Sequence, residues 1–169
     1  MVGKVIRIAE IKDIPELMEI YNDAILTTTA TFDTEVKDYK NREAWFHAHT
    51  GKHRLIVKEL EGKVAGYASL SQYRDRKAFD SAVEISIYIH KDYRGRRIGH
   101  ELMEAILEFA KGCEEIETVI SLITSENAAS IHLHEKYGFT YSGQIRNAGI
   151  KFGKKISLNA YQIIYDRVI

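Results

Sequence analysis

Between Tyr88 and Leu102 the chain reads YIHKDYRGRRIGHEL: an apolar strand, then a loop holding Arg94, Gly95, Arg96, Arg97 and Gly99, then at once a helix. That order gathers free backbone N–H groups at one point, where the helix dipole adds partial positive charge, so the joint suits an anion such as phosphate. Gly95 and Gly99 permit close backbone approach, and the arginines can add charge-assisted contacts. The same residues also read as a solvated basic loop, for the motif is neither a P-loop nor a full G-x-G-x-x-G. Upstream, Glu84 interrupts the apolar strand AVEISIYI. Withdrawn from water, its carboxyl rises toward the range of a general base. Sharing a polar face with Ser86 and Tyr88, it would be ordinary strand surface. Arg74 and Arg76, with Tyr73 and Phe79 beside them in YRDRKAF, could grip a carboxylate bidentately or be solvated. Asn127 opens NAASIHLHEKYGF, where it can cap a helix or touch a ligand.

The elements that must position these residues follow from periodicity. KVIRIA alternates as a strand, and Asp13 with Pro15 reads as the start of a helix whose apolar face is Ile14, Leu17, Met18, Tyr21 and Ile25. Asp38 caps a second helix through YKNREAWFHAH, ended by Gly51. RLIVKEL and KVAGYASLSQY flank Glu61-Gly62 as a hairpin, with AVEISIYIH next. Ile98, Leu102, Ala105, Ile106 and Phe109 recur at helical spacing, ETVISLIT reads as a buried strand, and a short helix ends near Gly138. YSGQIRNAGIK and KKISLNAYQIIY close the chain as a hairpin about Phe152-Gly153. The order β-α-α-β-β-β-α-β-α-β-β predicts an α/β (α+β) fold, a central mixed sheet flanked by helices.

The chain has 169 residues, one proline, no low-complexity tract and no repeat, and is expected to form one domain over 1–169. Lys plus Arg and Asp plus Glu each total 24, so no global field draws nucleic acid or an acidic membrane. One cysteine, Cys113, excludes an internal disulfide and a Cys-rich zinc site, and reads as a packing residue. His132 and His134 lie two apart on a helix, a poor metal pair, so no metal is expected. No membrane-length apolar run and no signal-peptide layout is visible, which predicts a soluble, cytoplasmic protein.

RGRRIG after ISIYIHKDY, with NAASIHLHEKYGF further on, resembles the GNAT superfamily of acetyl-CoA-dependent N-acetyltransferases. IYNDAI, TTTATFDTE, NREAWF, YRDRKAF, AVEISIYI and AGIKFG extend the likeness over nearly the whole chain, to the phosphinothricin and methionine sulfone/sulfoximine N-acetyltransferase branch. The resemblance implies that Arg94, Gly95, Arg96, Arg97, Ile98 and Gly99 wrap the pyrophosphate of coenzyme A. Arg94 and Gly99 match the first and last positions of [Q/R]-x-x-G-x-[G/A], whereas Arg97 replaces the middle glycine. It implies further that Ile87, Tyr88 and Ile89 meet the pantetheine arm through backbone groups, that Asn127 contacts that arm, and that Glu84 is the base. His134 holds the place of the superfamily's tyrosine that donates to the CoA sulfur, and this branch carries histidine there. Tyr137 falls just before Gly-Phe, where packing is expected.

By the same resemblance Arg74 binds the acceptor's carboxylate, with Tyr73 and Arg76 nearby, while Phe32 and Glu35 close over the substrate. Lys155, Ile156 and Ser157 replace the branch's Trp-x-Asp. A homodimer is implied. The leading expectation is acetylation of the amino group of a small amino acid or analogue. The alternatives are a protein N-terminus or polyamine acetyltransferase, Arg74 arguing against the polyamine, and a non-catalytic CoA-binding module, which Arg97 in place of glycine supports and Glu84 and His134 oppose. Nucleic-acid binding is not expected, for the cations form one cluster without interleaved aromatics.

Overall fold

The computed structural model describes residues 5–167. Along them run β1 (Val5–Ile8), α1 (Ile14–Thr27), α2 (Tyr39–His47), β2 (Leu55–Leu60), β3 (Lys63–Gln72), β4 (Ala82–Ile89), α3 (Ile98–Gly112), β5 (Thr118–Thr124), α4 (Ala128–Lys136), β6 (Thr140–Lys151) and β7 (Lys154–Ile164). This is the expected order; of the first predicted strand, Lys4 lies outside the described residues. Glu61 and Gly62 take φ of 53° and 76°, and Phe152 and Gly153 take 50° and 71°. Positive φ at both central residues closes each hairpin with the twist that suits its strands.

The strands form one seven-stranded sheet in the order β1-β2-β3-β4-β5-β7-β6. All neighbours are antiparallel except β4 and β5. One face of the sheet carries Ala68, Leu70, Val83, Ile85 and Val119, which pack on Ile98, Leu102, Met103, Ile106 and Ala110 of α3. On the other face Val57, Val64 and Tyr67 meet Leu17 and Ile20 of α1 and Trp45 and Phe46 of α2. The helices obey this division because their apolar residues recur every three or four positions. Cys113 follows the last turn of α3, half-buried against that core.

Two local expectations are corrected. Asp13 does not cap α1 with its side chain. A 3-10 turn at Ile11–Asp13 intervenes, and the carboxylate accepts from Arg7 at 2.7 and 2.9 Å and from the Glu10 N–H at 2.7 Å. The guanidinium of Arg7 outcompetes the helix start as a partner for that buried carboxylate. Asp38 does cap α2, accepting from the Asn41 N–H at 2.8 Å, but α2 ends at His47, short of Gly51.

Candidate active site

The site arises where β4 and β5 part. Their pairing covers Ala82↔Thr118, Val83↔Val119 and Glu84↔Ile120 and then stops. On its other edge β4 remains paired with β3 as far as Ile89. The His90 N–H donates to the Ala65 carbonyl at 2.9 Å. With the register unbroken, Glu84, Ser86 and Tyr88 turn their backbone groups to β3, and Ile87 and Ile89 turn theirs into the gap. Strand-edge groups without a ladder partner ask for an extended, amide-bearing ligand.

Glu84 stands at the apex of the gap, half-buried and lining a cavity of about 280 Å³. Burial pushes its carboxyl pKa up, and the Arg74 guanidinium draws it part-way back. Across the cavity is His134, buried at 3% exposure. Its Nδ1 lies 2.7 Å from the Ser130 carbonyl, which can only accept, so Nδ1 carries the proton. Nε2 then accepts from the Ser121 hydroxyl at 2.9 Å. Burial lowers the pKa of His134, and the Ser130 carbonyl offsets only part of that, so a neutral imidazole sits behind a serine hydroxyl. Ser121 was missed in the sequence, though a serine inside the apolar ETVISLIT is the same kind of signal as Glu84 in its strand.

From Glu84 the space continues through Ala30, Ile87, Tyr88 and Asn127 into a trough of about 620 Å³. Ile89, Arg94 and Ala129 then join it to a third recess, of about 320 Å³, at the start of α3. Asn127 caps α4, its Oδ1 accepting from the Ser130 N–H at 3.2 Å, and it lines both the cavity and the trough. Gly95, Arg97, Ile98 and Gly99 line the third recess, with Arg94 held by Asp23 at 3.1 Å. Arg97 takes φ +63°. The position where the resemblance expects glycine thus keeps the left-handed backbone that glycine adopts freely and arginine adopts at a cost of about 1–2 kcal/mol. Arg96 departs from the set: its side chain lies near Tyr93, 5.3 Å from the ring, and lines a separate cavity with Lys58 and Glu101.

Phe32 lines the cleft beside Glu84 and rests on Gly149, where an added Cβ would come within 2.6 Å of its ring. Tyr73, Arg74 and Arg76 lie on the loop before β4, Tyr73 half-buried and both arginines exposed. Arg74 donates to the Tyr73 carbonyl at 3.0 Å. Glu35 is exposed, and neither it nor Tyr73, Arg74 or Arg76 lines any of the cavities described. Ser157, in the stretch that departs from the branch, accepts from the Asn147 N–H at 3.1 Å, and Ile156 is buried. Among the described residues no three His, Cys, Asp or Glu side chains gather as a metal site, and no helix is long and apolar enough to cross a membrane.

The model of the acetyltransferase (GNAT) family matches residues 15–139. The chain belongs to the GNAT acetyltransferases. It is 39% identical, over 95% of its length and 94% of the relative's, to the L-methionine sulfoximine/L-methionine sulfone acetyltransferase of Pseudomonas aeruginosa. The structure of a Salmonella typhimurium protein solved with its cofactor acetyl-CoA superposes with a TM-score of 0.92, at 35% identity, over 97% of this chain and 95% of that one. A phosphinothricin acetyltransferase of Sinorhizobium meliloti in complex with acetyl-CoA gives 0.88 at 29% identity, over 97% and 89%. The protein is an acetyl-CoA-dependent N-acetyltransferase. Acetyl-CoA fits what the cleft offers: a continuous trough, the free edge at Ile87 and Ile89, and backbone N–H groups at the start of α3.

Proposed function

We propose that this enzyme acetylates the amino group of a small free amino acid or analogue, of the methionine sulfone, methionine sulfoximine or phosphinothricin type. The observation that carries the reading is Glu84, a carboxyl of raised pKa at the apex of the β4–β5 gap, facing the Ser121–His134 pair. Its supports are the acceptors named for the relatives and the cationic loop at Arg74.

Acetyl-CoA supplies an acyl group activated as a thioester. Glu84 takes the proton of the incoming ammonium, directly or through one water, which frees the nitrogen lone pair to attack. The Ile87 N–H faces the thioester oxygen and meets the charge that gathers there. As the C–N bond forms and the C–S bond breaks, the Ser121 hydroxyl turns its one O–H from His134 Nε2 toward the departing sulfur, and the proton that the new amide nitrogen sheds passes to the thiolate. Gly95, Arg97, Ile98 and Gly99 hold the pyrophosphate, Arg94 adds charge, and Arg96 contributes its backbone alone. Asn127 and the edge of β4 hold the arm, Tyr73, Arg74 and Arg76 face the acceptor's carboxylate, and Phe32 walls the acceptor.

Purified protein, acetyl-CoA and a panel of amines decide the matter by thiol release. Turnover confined to amino acids supports the reading, whereas turnover of spermidine or peptide amines alone overturns it. We also take residues 1–169 as one domain, working in the cytoplasm as a homodimer through the sheet edge at β6. Tyr141, Ile145 and Ile150 on β6, and Phe152 beside it, are each more than half exposed, an apolar edge of the kind proteins cover. Sedimentation should give a dimer that Ile145→Lys with Ile150→Glu dissociates; a monomeric parent protein refutes it.

A further inference from the structure

On the face of the sheet opposite α3, the middle of α2 holds a charge without an opposite. Arg42 is only 4% exposed. Its guanidinium carbon lies 3.7 Å from the ring centre of Trp45 and 4.5 Å from that of Tyr21. Its Nε and Nη2 are buried with no hydrogen-bond partner. A guanidinium cannot shed its proton, so burial without a carboxylate is costly, and aromatic faces offset only part of that. The carboxylate that lines the same cavity does not answer it: Asp33 pairs with Lys37 at 3.2 Å and accepts from Tyr21 at 2.6 Å. The Tyr67 hydroxyl beside Arg42 is neutral, its pKa raised by burial.

Arg42 lines a cavity of about 400 Å³ whose floor is Tyr67, Ser69, Ser71 and Ser86. The space joins the catalytic cavity through Tyr21, Ser86 and Tyr88. Ser86 is the next same-face position after Glu84, about 7 Å along the strand. An acceptor with its amine at Glu84 and its carboxylate toward the Arg74 loop would therefore send its side chain past Ser86 toward Arg42.

We propose that this cavity is the acceptor's side-chain subsite, in which Arg42 recognises a tetrahedral oxo group, such as a sulfonyl or phosphinate, at the far end of that side chain. The proposal rests on the amino-acid acceptor reading above. Two unpaired donors in a rigid fork match paired oxygens on sulfur or phosphorus, and hydroxyls around them can complete the shell. A bare aliphatic side chain would leave the cation as it stands.

Trp45, the only tryptophan, reports on the cavity without any need for turnover. With coenzyme A present, its fluorescence is titrated with phosphinothricin, methionine sulfone and norleucine. The two oxo amino acids should bind at least about 10-fold tighter than norleucine, phosphinothricin the tighter because it is charged. In Arg42→Met the ratio of norleucine to oxo constants should collapse about 10- to 100-fold, and in Arg42→Lys by less. No preference in the parent protein, or equal weakening of all ligands in the variants, overturns the proposal. If Arg42→Met does not fold, the parent's preference and the Arg42→Lys ratio decide. A Trp45 response without thiol release from any amino acid overturns the acceptor reading instead, and turnover with no oxo preference overturns the subsite alone.

Discussion

Replacing Glu84 by glutamine should make the enzyme slower and, at neutral pH, more stable. Glutamine keeps the shape of the side chain and deletes its charge. Burial is the larger influence on this carboxyl and raises its pKa, and exposed Arg74 only partly opposes it. A raised folded-state value means that the carboxylate is a cost to the fold. That cost is nil below the ordinary value of 4.5, grows as pH climbs through the folded-state value, and is constant above it. Each unit of upshift is about 1.4 kcal/mol, and each kcal/mol is about 2–4 °C of Tm in a chain of this size. The variant should thus melt higher than the parent at pH ~8 and level with it at pH ~4. On the catalytic side, loss of a positioned base costs about 10²–10⁴ in rate. The acidic limb of kcat/KM, which reports protonation of Glu84, should vanish as well. Thermal melts at both pH values, with thiol-release kinetics across the neutral range, read all three quantities. A lower Tm at pH ~8 would mean that native contacts hold the ionised carboxylate, and the base assignment would lose its physical ground. Full activity with an unchanged acidic limb would remove Glu84 from the chemistry outright.

Arg97→Gly relieves a left-handed arginine at φ +63°. The Tm should rise by about 2–4 °C, while loss of its charge from the recess raises KM for acetyl-CoA several-fold. His134, with its pKa lowered by burial, should titrate below 6.5 by NMR of its ring protons, leaving no limb of the neutral-range activity profile to it. Gly149→Ala drives a Cβ within 2.6 Å of the Phe32 ring and should cost about 1–3 kcal/mol by denaturant unfolding. Phe32→Ala should cancel most of that loss in the double variant, because the clash is with the ring alone.

The elements were legible in the sequence because each carries its own local signal. Glu61-Gly62 and Phe152-Gly153 mark their hairpins, Asp38 caps α2, and the apolar residues of α3 recur at the helical period. Glu84 was legible for a related reason: a carboxylate in an apolar strand contradicts its neighbours, and contradictions tend to sit at working sites. Asp13 misled because the residue that takes its carboxylate, Arg7, lies six positions earlier on a strand. A capping rule weighs only the residues on the C-terminal side of the cap. The parting of β4 and β5 was equally hidden, since the point where pairing ends depends on two stretches more than thirty residues apart.

Arg42 shows the limit most plainly. In the sequence it sits in YKNREAWFHAH among charged and polar neighbours, on a helix with little amphipathic character, and reads as solvated surface. The fold instead packs that helix against Tyr21, Tyr67 and Tyr88, and Arg42 lies buried between the Tyr21 and Trp45 rings at the wall of the cavity. Arg74 offers the opposite case, conspicuous in the sequence yet exposed in the fold and answered by its own backbone. A cation that water already satisfies gains little from a ligand. One buried without a counter-charge gains a great deal, and does so only from a group that brings negative oxygen. The side chain that discriminates between acceptors is therefore expected on α2, and the side chain that merely receives their carboxylates on the loop before β4.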